Sequence, residues 1–196
     1  MVHRLLIGLL IVVFANPGGM AQTYYWVGGT GDWGSASHWS LTSGGPGGAG
    51  VPNPGINAVF DANSFTADNQ EVRFEGVPII QCNDMDWRLI TRPVTLSGAK
   101  PIEISGNLWF RDVTWMNFTF TGQTIFSASN KNVVVCTAGQ AIPTGVTFDG
   151  DNGHWDLCDD FYVLGDIALN KGHLKTNNHS ITGYRFNSAP VNPLNV

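Results

Sequence analysis

The sequence contains few charged residues and no concentration of positive charge. Asp, Glu, Lys and Arg make up only 13% of its 196 residues, and the formal net charge is −5. Because nucleic-acid binding depends on clustered basic side chains, the composition argues against a nucleic-acid partner. Hydrophobic residues still account for 43% of the chain, which is enough to bury a core and excludes intrinsic disorder.

Long hydrophobic runs are equally scarce. The one extended apolar run, 5–14, follows Arg4 and is succeeded by small residues up to Ala21. A basic start, a short apolar run and small residues near a cleavage point are typical of a secretory signal peptide, which we predict over 1–21. The run is too short to span a bilayer. We therefore expect a mature chain without a transmembrane segment, either secreted or held at the outer cell surface.

A repeated offset is present instead. Short apolar pieces separated by Gly, Asn, Asp or Pro follow one another, and no helical periodicity persists. Equivalent residues recur 22 positions apart: Trp87 and Trp109, Phe126 and Phe148, Val133 and Trp155, Val135 and Leu157, Tyr162 and Tyr184, Leu164 and Phe186. A fixed offset built from strands is typical of a β-solenoid, in which each coil stacks on the one before.

This pattern predicts an all-β fold, a right-handed parallel β-helix with about five coils between Gln70 and Phe186. Residues 22–69 lack the offset and are dense in Trp, Tyr and Gly. We predict that they form an amino-terminal aromatic and Gly-rich cap, because the open end of a solenoid needs a cover. The predicted organisation is thus a signal peptide, a cap over 22–69 and coils over 70–196.

Three cysteines is an odd number for an exported chain. Cys136 and Cys158 are 22 positions apart, so they are predicted to lie on neighbouring coils. Stacked strands lie about 4.8 Å apart, a separation that a disulfide tolerates. The pair is either a disulfide or two stacked buried thiols. Cys82 has no partner at this offset and is predicted to be a small buried hydrophobe.

Several segments resemble large secreted β-helix proteins of Bacteroidota. The amino-terminal part of those proteins is similar to "YYWVGGTGDWGSASHWS" and "NAVFDANSF", and their coils are similar to "CNDMDW", "ISGNLWF" and "VTFDGDNGHWDLCDDFYVLGDIALNKGHLKTNNHSIT". The resemblance implies a surface or adhesin-like protein exported by the type IX secretion system. It also implies that the coils are truncated at the carboxy-terminal end of this sequence.

Two groups of residues are candidate binding sites. Asp149 and Asp151 alternate with Gly as oxygen ligands do in a calcium loop, although the third alternating ligand is missing and turn chemistry alone explains the segment. Calcium is the only cofactor that the sequence suggests. Trp26, Trp33 and Trp39 either stack on sugar rings as a glycan-binding patch or supply the core of a small cap. The second interpretation is favoured, because the cap has few aliphatic residues.

The sequence contains no pattern of residues that indicates a catalytic site. A β-helix also carries polysaccharide lyases and hydrolases, and Asp156 and Asp159 with Lys171 or Lys175 are the groups available for such a site. Nothing in their spacing singles them out, and fold alone does not establish function. We expect a secreted cell-surface structural or adhesin-like module that is not an enzyme, with an extracellular glycan or surface protein as partner. The alternatives are a glycan-binding module and a polysaccharide lyase or hydrolase.

Overall fold

The computed structural model describes residues 21–189. The predicted signal peptide lies outside the described residues except for Ala21, and so does the segment 190–196. The described part is built from short strands and one 3-10 helix, Ala36–His38. No helix in this part has the length and apolar character needed to cross a membrane.

The strands in chain order are β1 (Gln22–Trp26), β2 (Gly31–Asp32), β3 (Trp39–Ser40), β4 (Ile56–Val59), β5 (Gln70–Phe74), β6 (Ile80–Cys82), β7 (Met85–Asp86), β8 (Val94–Gly98), β9 (Ile102–Ile104), β10 (Leu108–Trp109), β11 (Met116–Phe118), β12 (Thr124–Phe126), β13 (Asn132–Cys136), β14 (Ala141–Ile142), β15 (Val146–Phe148), β16 (His154–Leu157), β17 (Phe161–Val163), β18 (Ile167–Leu169), β19 (His173–Lys175), β20 (Ile181–Thr182) and β21 (Phe186–Ser188).

Most strands pair in parallel with the strand three places earlier in the chain, and this arrangement gives the molecule three faces. Face A is the sheet β1-β4-β7-β10-β13-β16-β19, with β3 at its end. Face B consists of β2-β5-β8-β11 followed by a separate sheet, β14-β17-β20. Face C is β6-β9-β12-β15-β18-β21, whose six strands bound five full circuits. The predicted all-β parallel solenoid is confirmed.

Three of the pairs predicted from the 22-residue offset are register partners. Phe126 lies opposite Phe148, Val133 opposite Trp155 and Val135 opposite Leu157. The rings of Phe126 and Phe148 stack with centroids 5.0 Å apart and planes 14° from parallel. The 22-residue offset therefore identifies residues that stack on neighbouring coils wherever the turns keep a constant length.

The other three pairs were wrong because turn length varies. Tyr162 lies opposite Thr182, and Phe186 lies opposite Ile167, so the last coil is shorter than 22 residues. Trp109 lies opposite Asp86, one position away from Trp87. Since a shift of one residue reverses the side to which a strand side chain points, Trp87 is fully buried whereas Trp109 is on the outside and half-buried.

The amino-terminal end joins the coils earlier than the sequence suggested. Strand β1 pairs in parallel with β4, and β2 with β5, so the ladder begins at Gln22 and not at Gln70. Within the region predicted as a cap, β3 differs from the rest because it pairs antiparallel with β1, placing Trp39 opposite Trp26. An antiparallel strand laid along the end of a parallel sheet occupies hydrogen-bonding groups that would otherwise be exposed.

Candidate functional site

The three tryptophans considered for glycan stacking are inside the protein. Trp26, Trp33 and Trp39 are each 0% exposed. Trp39 meets the other two edge to face, with ring centroids 5.1 Å from Trp26 and 4.8 Å from Trp33. Rings without solvent exposure cannot stack on a sugar, so the glycan-stacking role of these residues is wrong. They are core residues, as the favoured interpretation predicted, but the core to which they belong is that of the first coils.

The calcium candidates Asp149 and Asp151 face a lysine. Lys171 Nζ lies 3.5 Å from Asp149 Oδ1 and 3.2 Å from Asp151 Oδ1. The hydrogen bond with Asp151 raises the pKa of Lys171. Within residues 21–189 no group of three or more His, Cys, Asp or Glu side chains is arranged to hold a metal ion. The ammonium group thus takes the position between the carboxylates that a calcium ion would need, which argues against calcium there.

The two acids considered for catalysis, Asp156 and Asp159, each have a separate partner. Asp156 pairs with Lys175 at 3.8 Å on the outside of face A. Asp159 accepts hydrogen bonds from the backbone N–H groups of Thr137, at 3.0 Å, and Ala138. A carboxylate committed to two N–H groups of the neighbouring coil holds a turn in place. These acids are therefore explained by pairing between coils.

Cys136 and Cys158 are joined by a disulfide. Their Cα atoms are 5.2 Å apart, as expected for equivalent positions on neighbouring coils. Both cysteines are on the outside of face A, Cys136 half-buried and Cys158 exposed. Of the two arrangements left open by the sequence, the structure has the covalent one. Cys82 is free and buried, as predicted for a small hydrophobe.

A surface cluster that sequence reasoning missed lies where face A turns into face B. We call it the Arg–Trp corner, and its members are Arg88, Trp109, Arg111 and Trp115. The guanidinium carbon of Arg88 lies 4.2 Å from the ring centroid of Trp109, and that of Arg111 lies 4.5 Å from the ring of Trp115. Arg111 Nη1 donates to the carbonyl oxygen of Arg88 at 2.5 Å, which ties the two turns together.

The two arginines of the corner differ in their partners. Arg88 makes two parallel bonds to Asp86, Nε to Oδ1 at 3.0 Å and Nη2 to Oδ2 at 2.7 Å, and this hydrogen bonding raises its pKa. Arg111 takes part in none of the ion pairs found in residues 21–189. Leu89 and Val113, in the same two turns, are 61% and 59% exposed. The corner therefore presents apolar surface, aromatic edges and the guanidinium of Arg111, which forms no ion pair in residues 21–189. The pKa of the neighbouring Asp112 is lowered, mainly by its own hydrogen bonding and in part by the charge of Arg111.

The sequence signal that would have located this corner is the alternation within β10. Leu108 is buried, so its neighbour Trp109 must point outward. The 22-residue offset concealed this, because it matched Trp109 to the inward-pointing Trp87.

Comparisons of the chain with protein-family models, with curated proteins and with solved structures gave no match.

Proposed function

We propose that this protein is a secreted cell-surface structural or adhesin-like module without catalytic activity. The observation that carries the proposal is the ladder of face A, where seven strands from β1 to β19 follow one another in parallel register. Continuous backbone hydrogen bonding over such a length makes a stiff body with equivalent positions repeated along its surface. A body of this kind is suited to holding contact surfaces away from the cell.

The interior supports a mechanical role. The cavity between Phe74, Met85 and Leu108 measures about 10 Å³, which is at most the space of a single water molecule. A solenoid filled in this way carries its binding surfaces on the outside. Asp149, Asp151 and Asp156 are paired with lysines and Asp159 with backbone N–H groups, which favours a role other than acid–base chemistry for these acids.

The disulfide supports a location outside the reducing cytoplasm. Disulfides persist in secreted and surface proteins and are rare where thiols are kept reduced. The bond between Cys136 and Cys158 joins two neighbouring coils. It agrees with the signal peptide predicted over 1–21 and with the resemblance to surface proteins of Bacteroidota exported by the type IX system.

We assign the contact surface to the Arg–Trp corner. Tryptophan and arginine contribute strongly to binding at protein interfaces, since both combine a large contact area with directional polar groups. Within residues 21–189 the Nη2 group of Arg111 has no hydrogen-bond partner, so we assign it to a carboxylate or sulfate of the partner, with Leu89 and Val113 supplying apolar contact beside it. The partner proposed is an extracellular glycan or surface protein that carries negative charge.

The test is adhesion of beads coated with the purified chain to arrayed glycans, mucin and extracellular matrix proteins. We expect binding to at least one of these and a loss of about tenfold or more for Trp109→Ala, which removes a hot-spot ring. Tyr25→Ala is the matched control, because Tyr25 lies on the same outer row of face A at a distance from the corner.

Two results would overturn the proposal. One is equal adhesion by the Trp109→Ala variant and the parent chain, which would remove the corner as contact surface. The other is release of oligosaccharides from a polysaccharide panel by the purified chain, with loss of that activity in Asp156→Asn, which would establish an enzyme.

A further inference from the structure

Two histidines lie side by side on neighbouring coils of face A. His154 begins β16 and His173 begins β19, and they are direct partners in the parallel register. Their imidazole rings stack with centroids 4.6 Å apart and planes 20° from parallel. Both residues are exposed to solvent. The edges of the two rings are therefore open on the same side of the sheet.

The nitrogens of these two rings have no protein partner in the described part of the chain. His38 Nδ1 lies 2.8 Å from the carbonyl oxygen of Val27, and His179 Nδ1 lies 3.7 Å from Asp160 Oδ1. No side-chain hydrogen bond or ion pair within residues 21–189 involves the ring of His154 or His173. Their lone pairs are thus available to a ligand from solution.

The surroundings of the pair are compatible with a cation. Asn132 is the register partner of His154 on the preceding coil, so an amide oxygen continues the same row. The ammonium group of the adjacent Lys131 is engaged elsewhere, 2.7 Å from Asn83 Oδ1. The nearest carboxylate on these two strands is that of Asp156, two residues after His154 in β16. It pairs with Lys175, which is its register partner in β19.

We propose that His154 and His173 form a two-imidazole site for a divalent transition metal, with Cu²⁺, Ni²⁺ or Zn²⁺ as the class of ligand. Imidazole nitrogen suits these ions, whereas calcium and magnesium prefer oxygen. Metal–nitrogen bonds of about 2.0–2.1 Å place two ligand nitrogens about 3 Å apart. Exposed rings on strands stacked at about 4.8 Å reach this spacing by rotating about their side-chain bonds. Water completes the coordination.

The metal would act as a clip between two coils. The disulfide already joins the end of β13 to the residue that follows β16, whereas β16 and β19 are joined by ladder bonds and the Asp156–Lys175 ion pair. An ion held by one residue of β16 and one of β19 binds the folded coil and not the unfolded one. By linkage it stabilises the fold in proportion to the logarithm of its concentration above the dissociation constant.

The experiment is a titration of the chain, free of any histidine tag, with CuCl₂ and ZnCl₂ by calorimetry. Three variants are compared with the parent: His154→Asn, His173→Asn and, as the matched control, His179→Asn. Loss of one of two ligands is expected to weaken binding about tenfold or more in the first two variants. The control, whose histidine is on the same coil as His173 and has no imidazole neighbour, should bind as the parent does.

A second readout separates this site from unspecific copper binding. Hydrogen exchange with and without metal should show slower exchange in β19 of the parent and of His179→Asn, and no change in the other two variants. The electron paramagnetic resonance spectrum of the copper form should show coupling to two imidazole nitrogens. Equal affinity in all four proteins, or exchange protection that does not include β19, would overturn the proposal. Because adhesion plays no part in these measurements, their outcome is independent of the proposed function.

Discussion

Trp33 and Trp39 show how two identical, fully buried side chains meet different hydrogen-bonding situations. Trp39 Nε1 donates to the carbonyl oxygen of Trp33 at 2.8 Å. Trp33 Nε1 is buried among described residues that offer it no acceptor. An unpaired buried donor destabilises the fold by about 1–3 kcal/mol relative to a paired one. Trp33 is therefore stabilised by burial of its ring alone, whereas Trp39 is stabilised by burial of its ring and by a hydrogen bond.

This difference predicts unequal effects of the same substitution. Trp39→Phe removes ring volume and leaves the carbonyl oxygen of Trp33 without its donor, whereas Trp33→Phe removes similar volume together with an unpaired N–H. We expect Trp39→Phe to lower the free energy of unfolding by about 1–3 kcal/mol more than Trp33→Phe does. Urea unfolding of the two variants measures this, and equal losses would contradict it.

The buried thiol of Cys82 makes the stability of the fold depend on pH. Burial raises the pKa of its thiol, because the thiolate would lose its hydration inside the solenoid. The folded state thus keeps its proton at a pH where the unfolded thiol, with a pKa of about 8.5, has begun to lose it. A raised folded-state pKa stabilises the fold below the unfolded value, and this contribution is lost as the pH rises above it.

We therefore expect alkaline pH to weaken the parent chain more than Cys82→Ala. The difference between their free energies of unfolding should fall by about 1.4 kcal/mol per pH unit above about pH 8.5. Urea titrations between pH 7.5 and 9.5, in a background with Cys136→Ser and Cys158→Ser to prevent thiol exchange, measure it. A difference that stays constant over this range would show that the thiol is not held neutral.

At the scale of the elements, the turns decide how one coil passes to the next. Among residues 21–189, five of the six non-glycine residues with positive φ are asparagines, and they lie at turns between strands: Asn69, Asn130, Asn152, Asn177 and Asn178. Asparagine tolerates this backbone conformation better than most residues because its side chain hydrogen-bonds locally. These five asparagines are therefore explained by the backbone conformation of the turns.

Gly98 is required by both conformation and space. It ends β8 with φ of +107°, and a Cβ there would lie 2.7 Å from the carbonyl oxygen of Phe74 on the neighbouring coil. Gly48 has nearly the same φ, +110°, but a Cβ would meet nothing within 4 Å. Substitution by alanine would therefore strain the backbone similarly at both positions. Only at Gly98 would the added Cβ also collide with a neighbouring atom.

We expect Gly98→Ala to be more destabilising than Gly48→Ala, by about 1–3 kcal/mol, since coil stacking must shift to relieve the contact. Thermal and urea unfolding of both variants measure the difference. If the two substitutions cost the same, the stacking of β8 on β5 is looser than the register of Phe74 with Gly98 indicates.

For the whole molecule, the two ends of the described solenoid differ. The first end carries β3, the 3-10 helix and the buried tryptophan cluster. At the other end β19, β20 and β21 are the last strands of their sheets. Phe186 points inward in register with Ile167 and yet is 51% exposed, because the described part of the chain places no further coil over it.

Local stability should therefore decrease along the axis. We expect the amides of β19, β20 and β21 to exchange with solvent fastest and those of β4, β7 and β10 slowest, because edge strands open without breaking a second ladder. Hydrogen exchange followed by mass spectrometry on peptides from each coil measures the gradient. Uniform protection from β4 to β21 would mean that the solenoid opens as a single unit.

The sequence by itself determined the architecture and part of the register. A parallel solenoid follows from strand-length apolar pieces at a constant offset, and Phe126 over Phe148 follows from the count alone. The proximity of Cys136 and Cys158 was predicted for the same reason. These features depend on periodicity, which is a property of the chain order and needs no knowledge of turn shape.

The tertiary structure decided which side chains point outward and which polar groups meet. The coil between β7 and β10 is one residue longer than the offset, and this single residue places Trp109 opposite Asp86 and not opposite the buried Trp87, on the outside at the Arg–Trp corner. The coil between β16 and β19 is shorter, and this brought His154 opposite His173. Side-chain direction alternates with every residue, so a change in turn length too small to disturb the architecture is enough to relocate a surface site.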